Sequence, residues 1–458
     1  MNTDALQSQL ESHFKWFHQH PELSNDEHGT TAHIREILTN AGVEILDVPL
    51  KTGLVARIRG TTSRELGTTS RELGTTSREL GTTSRELGTT SRELGTTSRE
   101  LGTTSRELGT TSRELGTTSR ELGTTSRELG TTSRELGTGD GPVIALRSDI
   151  DALAITECTG LDYASKHPGV MHACGHDFHL TALLGTALLL QAEKENLEGT
   201  IKLIFQPAEE GGGGAQQVLD TGVLDDTAEI YGLHTAAKKT TGVIAVSPGP
   251  SHAAVGAFRI LLRGVGGHAA YPHLCKDTIV AGAQIISGAQ AIISRNTSPF
   301  DQEVLSFTHT EAGHTWNVIP PEALLEGTTR AFSVEKLTLI NEQLEQIALH
   351  TGAIHGIAVE YHWHINTIPT NNDPALTDFV IETAKTMGLP VQSCLPTMGG
   401  EDFALYQQRI PGVFWTIGVG SPCAQHHPGF IANPAVLHTA SELMADLGRG
   451  ALRRLRGV

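Results

Sequence analysis

The densest chemistry in the chain lies in Met171-His-Ala-Cys-Gly-His-Asp-Phe-His179, where His172, Cys174, His176, Asp177 and His179 crowd together. Thiolate, imidazole and carboxylate in one segment suit a divalent transition metal such as zinc, manganese, iron or cobalt. The plainer alternative is a set of core histidines ahead of an apolar helix at 180–190. A second stretch, Ile201-Lys-Leu-Ile-Phe-Gln-Pro-Ala-Glu-Glu210, reads as an apolar strand ending in two adjacent carboxylates and followed by four glycines. Successive side chains leave an extended backbone in opposite directions, so one carboxylate can hold a metal while the other handles a proton. Asp149 and Asp151 end another apolar run two residues apart, hence on one face. His234 ends the run that begins at Ile230, and His426 and His427 precede Pro428 near the C-terminus. Taken singly, each of these has an ordinary structural reading as a turn, loop or core residue.

These residues recur at the ends of strand-like runs in a chain that alternates strands and helices. In open α/β sheets, sites form beyond the carboxyl ends of the strands. Apolar spacing predicts helices over 4–18 and 30–41, then strands over 52–59 and 141–147, with strands and helices alternating to about Pro248. Joined directly, the two strands read as a hairpin with a Gly-rich turn. From about Ala254 the order becomes strand 255–264, helix 277–294, strands 304–311 and 323–332, helix 333–352 and strand 357–366. That β-α-β-β-α-β order is the ferredoxin-like one. A helix over 374–387, further strands and a last helix return the chain to the first unit. The expected fold class is α/β, a central mixed sheet flanked by helices with an inserted α+β unit.

Between the two hairpin strands the heptapeptide GTTSREL runs eleven times without a mismatch, from Gly60 to Leu136. One Leu per heptad is too little for a coiled-coil seam, which needs apolar residues at both a and d. An odd period turns successive leucines to opposite faces of a strand. The block at 60–136 is therefore expected to be a disordered insertion at the hairpin tip, where insertions are tolerated. Each copy carries one Arg and one Glu, so the net charge of −17 belongs to the rest of the chain. That acidic balance disfavours nucleic acid as a partner. No apolar run approaches the ~20 residues of a membrane span. The first residues lack a basic region followed by an apolar one, and the five cysteines are odd in number and irregularly spaced. Both features predict a reducing, cytoplasmic location.

The motifs taken together resemble the aminoacylase/carboxypeptidase superfamily of dinuclear metal amidohydrolases, in particular the branch of hippurate hydrolases and indole-acetyl-amino-acid hydrolases. The resemblance rests on His18-Gln-His-Pro-Glu-Leu-Ser24, Leu146-Arg-Ser-Asp-Ile-Asp-Ala-Leu153, His172-Ala-Cys-Gly-His-Asp177 and Phe205-Gln-Pro-Ala-Glu-Glu-Gly211. It continues through Gly266-Gly-His-Ala-Ala-Tyr-Pro-His273, Asn317-Val-Ile-Pro320, Gly327-Thr-Thr-Arg330, Met398-Gly-Gly-Glu-Asp-Phe403 and His426-His-Pro428. These cover nearly all of the chain outside the repeat, in order. The family pattern implies a metallopeptidase-type catalytic domain of residues 1–59, 137–253 and 367–458. Residues 254–366 would then form a lid and dimerisation domain.

The resemblance also implies roles. Cys174 would bridge two divalent metal ions, with His176 and His234 completing one and Glu210 and His426 the other. His427 is the neighbour that spacing does not separate from His426. Glu209 would be the general base and Asp151 would orient a ligand. His268, on the lid, would stabilise the oxyanion across a dimer, and Asn317 and Arg330 would hold the substrate carboxylate. The ions would be manganese or zinc, with cobalt and nickel as further options. The implied activity is hydrolysis of the amide bond of N-acyl amino acids, N-acetyl or N-benzoyl for example, by metal-bound water with a Glu base. Dipeptidase, aminobenzoyl-glutamate hydrolase and acetyl-diaminopimelate deacetylase are alternatives within the superfamily. A non-catalytic metal-binding scaffold is the alternative of another class. The expected partners are a small N-acyl amino acid and a second copy of the chain, with no nucleic acid and no membrane. Two positions depart from the family pattern: Ala154 stands where proline is usual and Gly400 where serine is usual.

Overall fold

The computed structural model describes residues 3–60, 141–211 and 213–457. Apart from Gly60, the heptapeptide block lies outside the described residues. The larger sheet contains β1 (Glu44–Ile45), β2 (Leu54–Arg59), β3 (Val143–Asp149), β4 (Thr200–Gln206), β5 (Glu229–Ala236) and β6 (Ile244–Ala245), joined late in the chain by β15 (Val391–Gln392) and β16 (Gly412–Gly418). Their order is β1-β2-β4-β3-β5-β16-β6-β15. The central four strands, β4, β3, β5 and β16, run parallel. Helices cover them on both sides, so β3 and β4 are buried along their whole length. That explains why their sequences read as continuous apolar runs rather than alternating ones.

The hairpin expected from 52–59 and 141–147 does not form. Strand β4 lies between β2 and β3, and Thr200 pairs with Arg59 on one side and with Val143 on the other. Parallel neighbours on both sides suit the fully buried β3, whereas β2 pairs antiparallel with β4 and ends exposed at Arg59. The repeat block thus connects strand ends that are separated by one strand, rather than standing on a hairpin tip.

Helices α1 (Thr3–Gln19), α2 (His28–Asn40), α3 (His176–Ala192), α4 (Gly214–Asp220), α7 (Pro374–Thr386), α8 (Phe403–Gln407) and α9 (Leu437–Arg456) flank this sheet. Helix α1 buries Leu6, Leu10, Phe14 and Phe17, a single stripe at helical spacing. Helix α3 is buried nearly all round between α1, α9 and the sheet.

Strands β7 (Gly249–His252) and β14 (Thr370–Asn372) pair with each other where the chain leaves and re-enters the first unit. Between them lie β8 (Ala254–Arg263), β9 (Gly267–His268), α5 (Thr278–Ala291), β10 (Val304–Ala312), β11 (Val318–Ile319), β12 (Glu322–Ala331), α6 (Val334–His355) and β13 (Ala358–Thr367). Strands β10-β12-β8-β13 form a second, wholly antiparallel sheet in the order expected of the β-α-β-β-α-β pattern. Helices α5 and α6 close one face over a separate core that includes Phe258, Ile260, Leu262, Ile285, Ile340 and Leu344. Among the described residues no helix is long and apolar enough to cross a membrane.

Candidate metal centre and active site

The carboxyl ends of β3, β4 and β5 meet the loop that follows β16, and all five of the chemical stretches converge there. Cys174 and His176 flank Gly175, whose φ of 96° belongs to the left-handed region and whose added Cβ would lie 2.7 Å from Thr235 Oγ1. Only glycine allows that turn, which aims both side chains into one space. Cys174 Sγ lies 3.4 Å from His234 Nε2. His176 Nε2 lies 3.8 Å from Glu210 Oε1, and His426 Nε2 lies 3.3 Å from the same oxygen. The ligand atoms of Cys174, His176 and His234 all fall within 4.8 Å of one another, and so do those of Cys174, Glu210 and His426. The two triads share Cys174.

These residues fit a pair of divalent cations. His176 Nε2 is buried with no hydrogen-bond partner, and Glu210 Oε1 has only the long contact to His426; a buried polar group left unsatisfied costs about 1–3 kcal/mol unless a ligand meets it. The outer nitrogens are occupied. His176 Nδ1 meets Asp151 Oδ1 at 3.1 Å and His234 Nδ1 meets the Thr235 carbonyl at 2.8 Å. Both acceptors place the proton on Nδ1 and leave the Nε2 lone pair facing the cluster, the usual arrangement around a metal-binding histidine. Burial drives the Cys174 thiol well above its ordinary pKa; a neighbouring cation reverses that preference.

Ala208, just ahead of the two glutamates, has φ 52°. The turn sends Glu210 toward Cys174 and His426, while the Glu209 carboxylate lies within 4.8 Å of those of Glu401 and Asp402. Burial first, then the charges of Glu401, Asp402 and Glu210, hold the Glu209 carboxyl well above the usual range. Asp151 does more than face His176: its Oδ2 accepts the backbone N–H of Glu210 at 3.0 Å and the Ser24 hydroxyl at 2.6 Å.

Beneath the cluster lies a layer built around Arg147, which sequence reasoning did not assign. Arg147, fully buried, donates to Gln206 Oε1 at 2.8 Å, Asp149 Oδ2 at 2.7 Å, Glu401 Oε1 at 3.0 Å and Asp402 Oδ1 at 2.9 Å. Asp149 also pairs with His179 Nδ1 at 2.6 Å, and His179 Nε2 accepts the N–H of Thr235, next to His234, at 2.8 Å. The available signal was an arginine inside the apolar run 143–149, because a charge on a fully buried strand requires partners.

His426 and His427, inseparable by spacing, are distinguished by conformation. His426 adopts φ 62° and its N–H bonds the Ala173 carbonyl at 2.8 Å, which brings its ring to Glu210. The His427 ring instead accepts the N–H of Gly429 at 3.0 Å. His268 is exposed on β9, opposite Val318, and Asn317 Oδ1 accepts from Thr315. Among the described residues no hydrogen bond or ion pair joins either side chain to the cluster. Arg330, on β12, bonds the Met398 carbonyl at 3.2 Å, three residues ahead of Glu401. Gly400 has a steric reason: a Cβ there would lie 2.7 Å from Val255 Cγ2 and 2.9 Å from Thr367 Cγ2.

Comparison with known proteins follows the same outline. The model of peptidase family M20/M25/M40 matches residues 145–449. The N-acetylcysteine deacetylase of Bacillus subtilis (strain 168) is 36% identical over 448 residues, 98% of this chain and 98% of the relative. The IAA-amino acid hydrolase ILR1-like 4 of Arabidopsis thaliana is 38% identical over 330 residues, 69% of this chain and 75% of the relative. Among solved structures, the Bacillus subtilis YXEP protein, described as a dinuclear metal binding peptidase, superposes with a TM-score of 0.74 at 34% identity and covers 98% of this chain and 99% of its own.

Proposed function

The chain belongs to peptidase family M20/M25/M40, and we propose that it is a metal-dependent amidohydrolase that cleaves N-acyl amino acids to a carboxylic acid and a free amino acid. The observation that carries this reading is the pair of ligand triads sharing Cys174, with the further carboxylate of Glu209 beside them. A relative named for deacetylating N-acetylcysteine and another named for hydrolysing IAA-amino acids support the substrate class.

Cys174, His176 and His234 would hold one cation, and Cys174, Glu210 and His426 would hold a second. Thiolate and imidazole favour zinc, and the carboxylate also accommodates manganese. Two such cations, when bound, acidify water and polarise a carbonyl. Glu209 takes the proton of the attacking water and returns it to the departing amine, a task suited to a carboxyl whose pKa is raised above the usual range. Asp151 holds the His176 ring and the Glu210 backbone in register.

Residues 254–366 act as a lid and dimerisation domain on a catalytic domain formed by 1–59, 137–253 and 367–458. The separate core of the second sheet and the paired crossovers β7 and β14 support that division. His268 reaches a tetrahedral oxyanion across a homodimer, in keeping with its exposed side chain. Arg330 and Asn317 hold the substrate carboxylate, for which the Arg fork is suited. Five free cysteines fit a reducing, cytoplasmic setting.

The test is amino acid release by metal-reconstituted protein from a panel of N-acetyl and N-benzoyl amino acids, with dipeptides and aminobenzoyl-glutamate included. Release from the acyl amino acids that a chelator abolishes and added metal restores is expected. Tight binding of metal without release from any substrate would favour a scaffold instead.

A further inference from the structure

We propose that Glu27 is a positioning residue that sets the turn carrying Glu209 and Glu210; this rests on the reading of Glu209 as base and Glu210 as metal ligand. Glu27 stands at the N-cap of α2 but makes no capping bond there. Glu22 takes that part, its carboxylate accepting the N–H groups of Gly29 at 2.9 Å and Thr30 at 2.7 Å. The Glu27 side chain turns into the interior, where none of the residue is exposed to solvent. Its Oε1 accepts the backbone N–H of Ala208 at 2.8 Å and its Oε2 accepts the Thr52 hydroxyl at 2.6 Å.

Ala208 is one of only three non-glycine residues with positive φ among the described residues; another is His426. A side chain at φ 52° crowds its own backbone, so the conformation persists only where surrounding bonds impose it. The carbonyl of Ala208 accepts from Gly214 at 3.1 Å, and the next N–H but one, that of Glu210, is held by Asp151. The N–H of the strained residue itself is held by Glu27. The 52–53 turn is pressed against the same segment: a Cβ on Gly53 would lie 2.6 Å from both the Phe205 carbonyl oxygen and Pro207 Cδ. Gly53 is itself tied by its N–H to Thr31 Oγ1 at 2.8 Å. The start of α2 thus grips the turn from outside the cluster. Without the acceptor, Ala208 relaxes toward negative φ, the 208–209 peptide rotates, and the two glutamates leave the positions from which one binds metal and the other moves a proton.

Two substitutions separate positioning from packing. Glu27→Met keeps the buried volume and removes the acceptor, whereas Glu27→Gln keeps an acceptor for Ala208 and offers a donor to Thr52. Adding Ala208→Gly to Glu27→Met gives the turn a residue that takes positive φ without strain. Glu27→Met is expected to lower kcat roughly tenfold to a hundredfold with KM little changed, the scale of a misplaced catalytic group. It should also weaken Co2+ binding, followed by visible absorption. Glu27→Gln should keep both near wild type, and the Met/Gly double variant should regain much of both without a rise in Tm. A purely structural role moves Tm and leaves kcat and Co2+ affinity in place, and that result, or a double variant no better than Glu27→Met, overturns the proposal. Wild-type protein that binds no Co2+ overturns the site reading together with the proposal. Wild-type binding and turnover with an unaffected Glu27→Met overturns the proposal alone.

Discussion

Glu209→Gln should move activity and stability in opposite directions. The carboxylate lies with those of Glu401 and Asp402, and burial followed by these neighbouring charges raises its pKa. A glutamate whose pKa is higher in the folded than in the unfolded chain destabilises the fold once pH exceeds the unfolded value, because folding must then take up a proton or, at higher pH, hold a charge in an unfavourable place. Glutamine of the same shape removes that charge. In metal-free protein the variant should therefore have a higher urea midpoint than wild type at pH 7. The gain should fade as pH falls through about 4.3, where the unfolded side chain also becomes neutral. Turnover should fall by about 10²–10⁴, the usual loss for a general acid–base group, equivalent to ~3–5 kcal/mol in the barrier. Metal content should stay at the wild-type value, since Glu210 and the other ligands are untouched. Steady-state kinetics on an N-acetyl amino acid, metal analysis and urea unfolding check the three parts. A kcat within tenfold of wild type would remove Glu209 as the base, and an unchanged or lower midpoint would refute the electrostatic account of its surroundings.

Other perturbations test the frame around the site. His18 is buried against Asp177 at 2.7 Å and Glu157 at 3.2 Å; burial alone would lower its pKa, but these carboxylates outweigh it and raise it to about 9. Its contribution, at most about 3 kcal/mol, is present in full below the unfolded value near 6.5 and lost as pH rises through about 9. His18→Gln should flatten the fall of urea stability over that window, and an unchanged pH profile would refute the assignment. Gly400→Ser should lower stability by about 1–3 kcal/mol through overpacking, with Val255→Ala on the same chain restoring part of it in thermal unfolding. Deletion of the repeat so that Arg59 joins Gly137 should leave fold and activity intact. Arg59 and Val143 flank Thr200, so their separation is about two strand spacings, roughly 9–10 Å. The residues remaining from Gly137 to Pro142 reach well beyond that at ~3.3–3.6 Å each. A deletion variant that folds, by circular dichroism, but releases no amino acid would give the repeat a role in catalysis.

Much of this protein is legible in its residue types. Cys174, His176, Glu210, His234 and His426 stand out because their side chain types can ligate a metal; Glu210 follows the buried strand β4, His234 lies near the end of β5, and Cys174 and His176 lead into the apolar helix α3. The β-α-β-β-α-β unit is legible for the same reason, since its strands and helices carry their own periodicity and pair with neighbours in the predicted order. The repeat is recognisable as an insertion because it has too few apolar residues to build a core.

What tertiary structure decided is non-local. No pattern within 52–59 or 141–147 says that β4 comes between them; two-sided burial of β3 and β4 settles that competition in favour of parallel pairing. Spacing could not tell His426 from His427, because the choice rests on one left-handed backbone angle and a bond to Ala173. Arg147 and Glu27 went unassigned, and His179 was counted only with the candidate ligands, because each acts through partners far away in the chain: Glu401 and Asp402, Ala208, and the Thr235 backbone. The sequence by itself determined which atoms could bind metal and move protons, since those are properties of side chains. Only the folded chain decided which of them face one another, since that depends on backbone turns held in place by buried hydrogen bonds between distant segments.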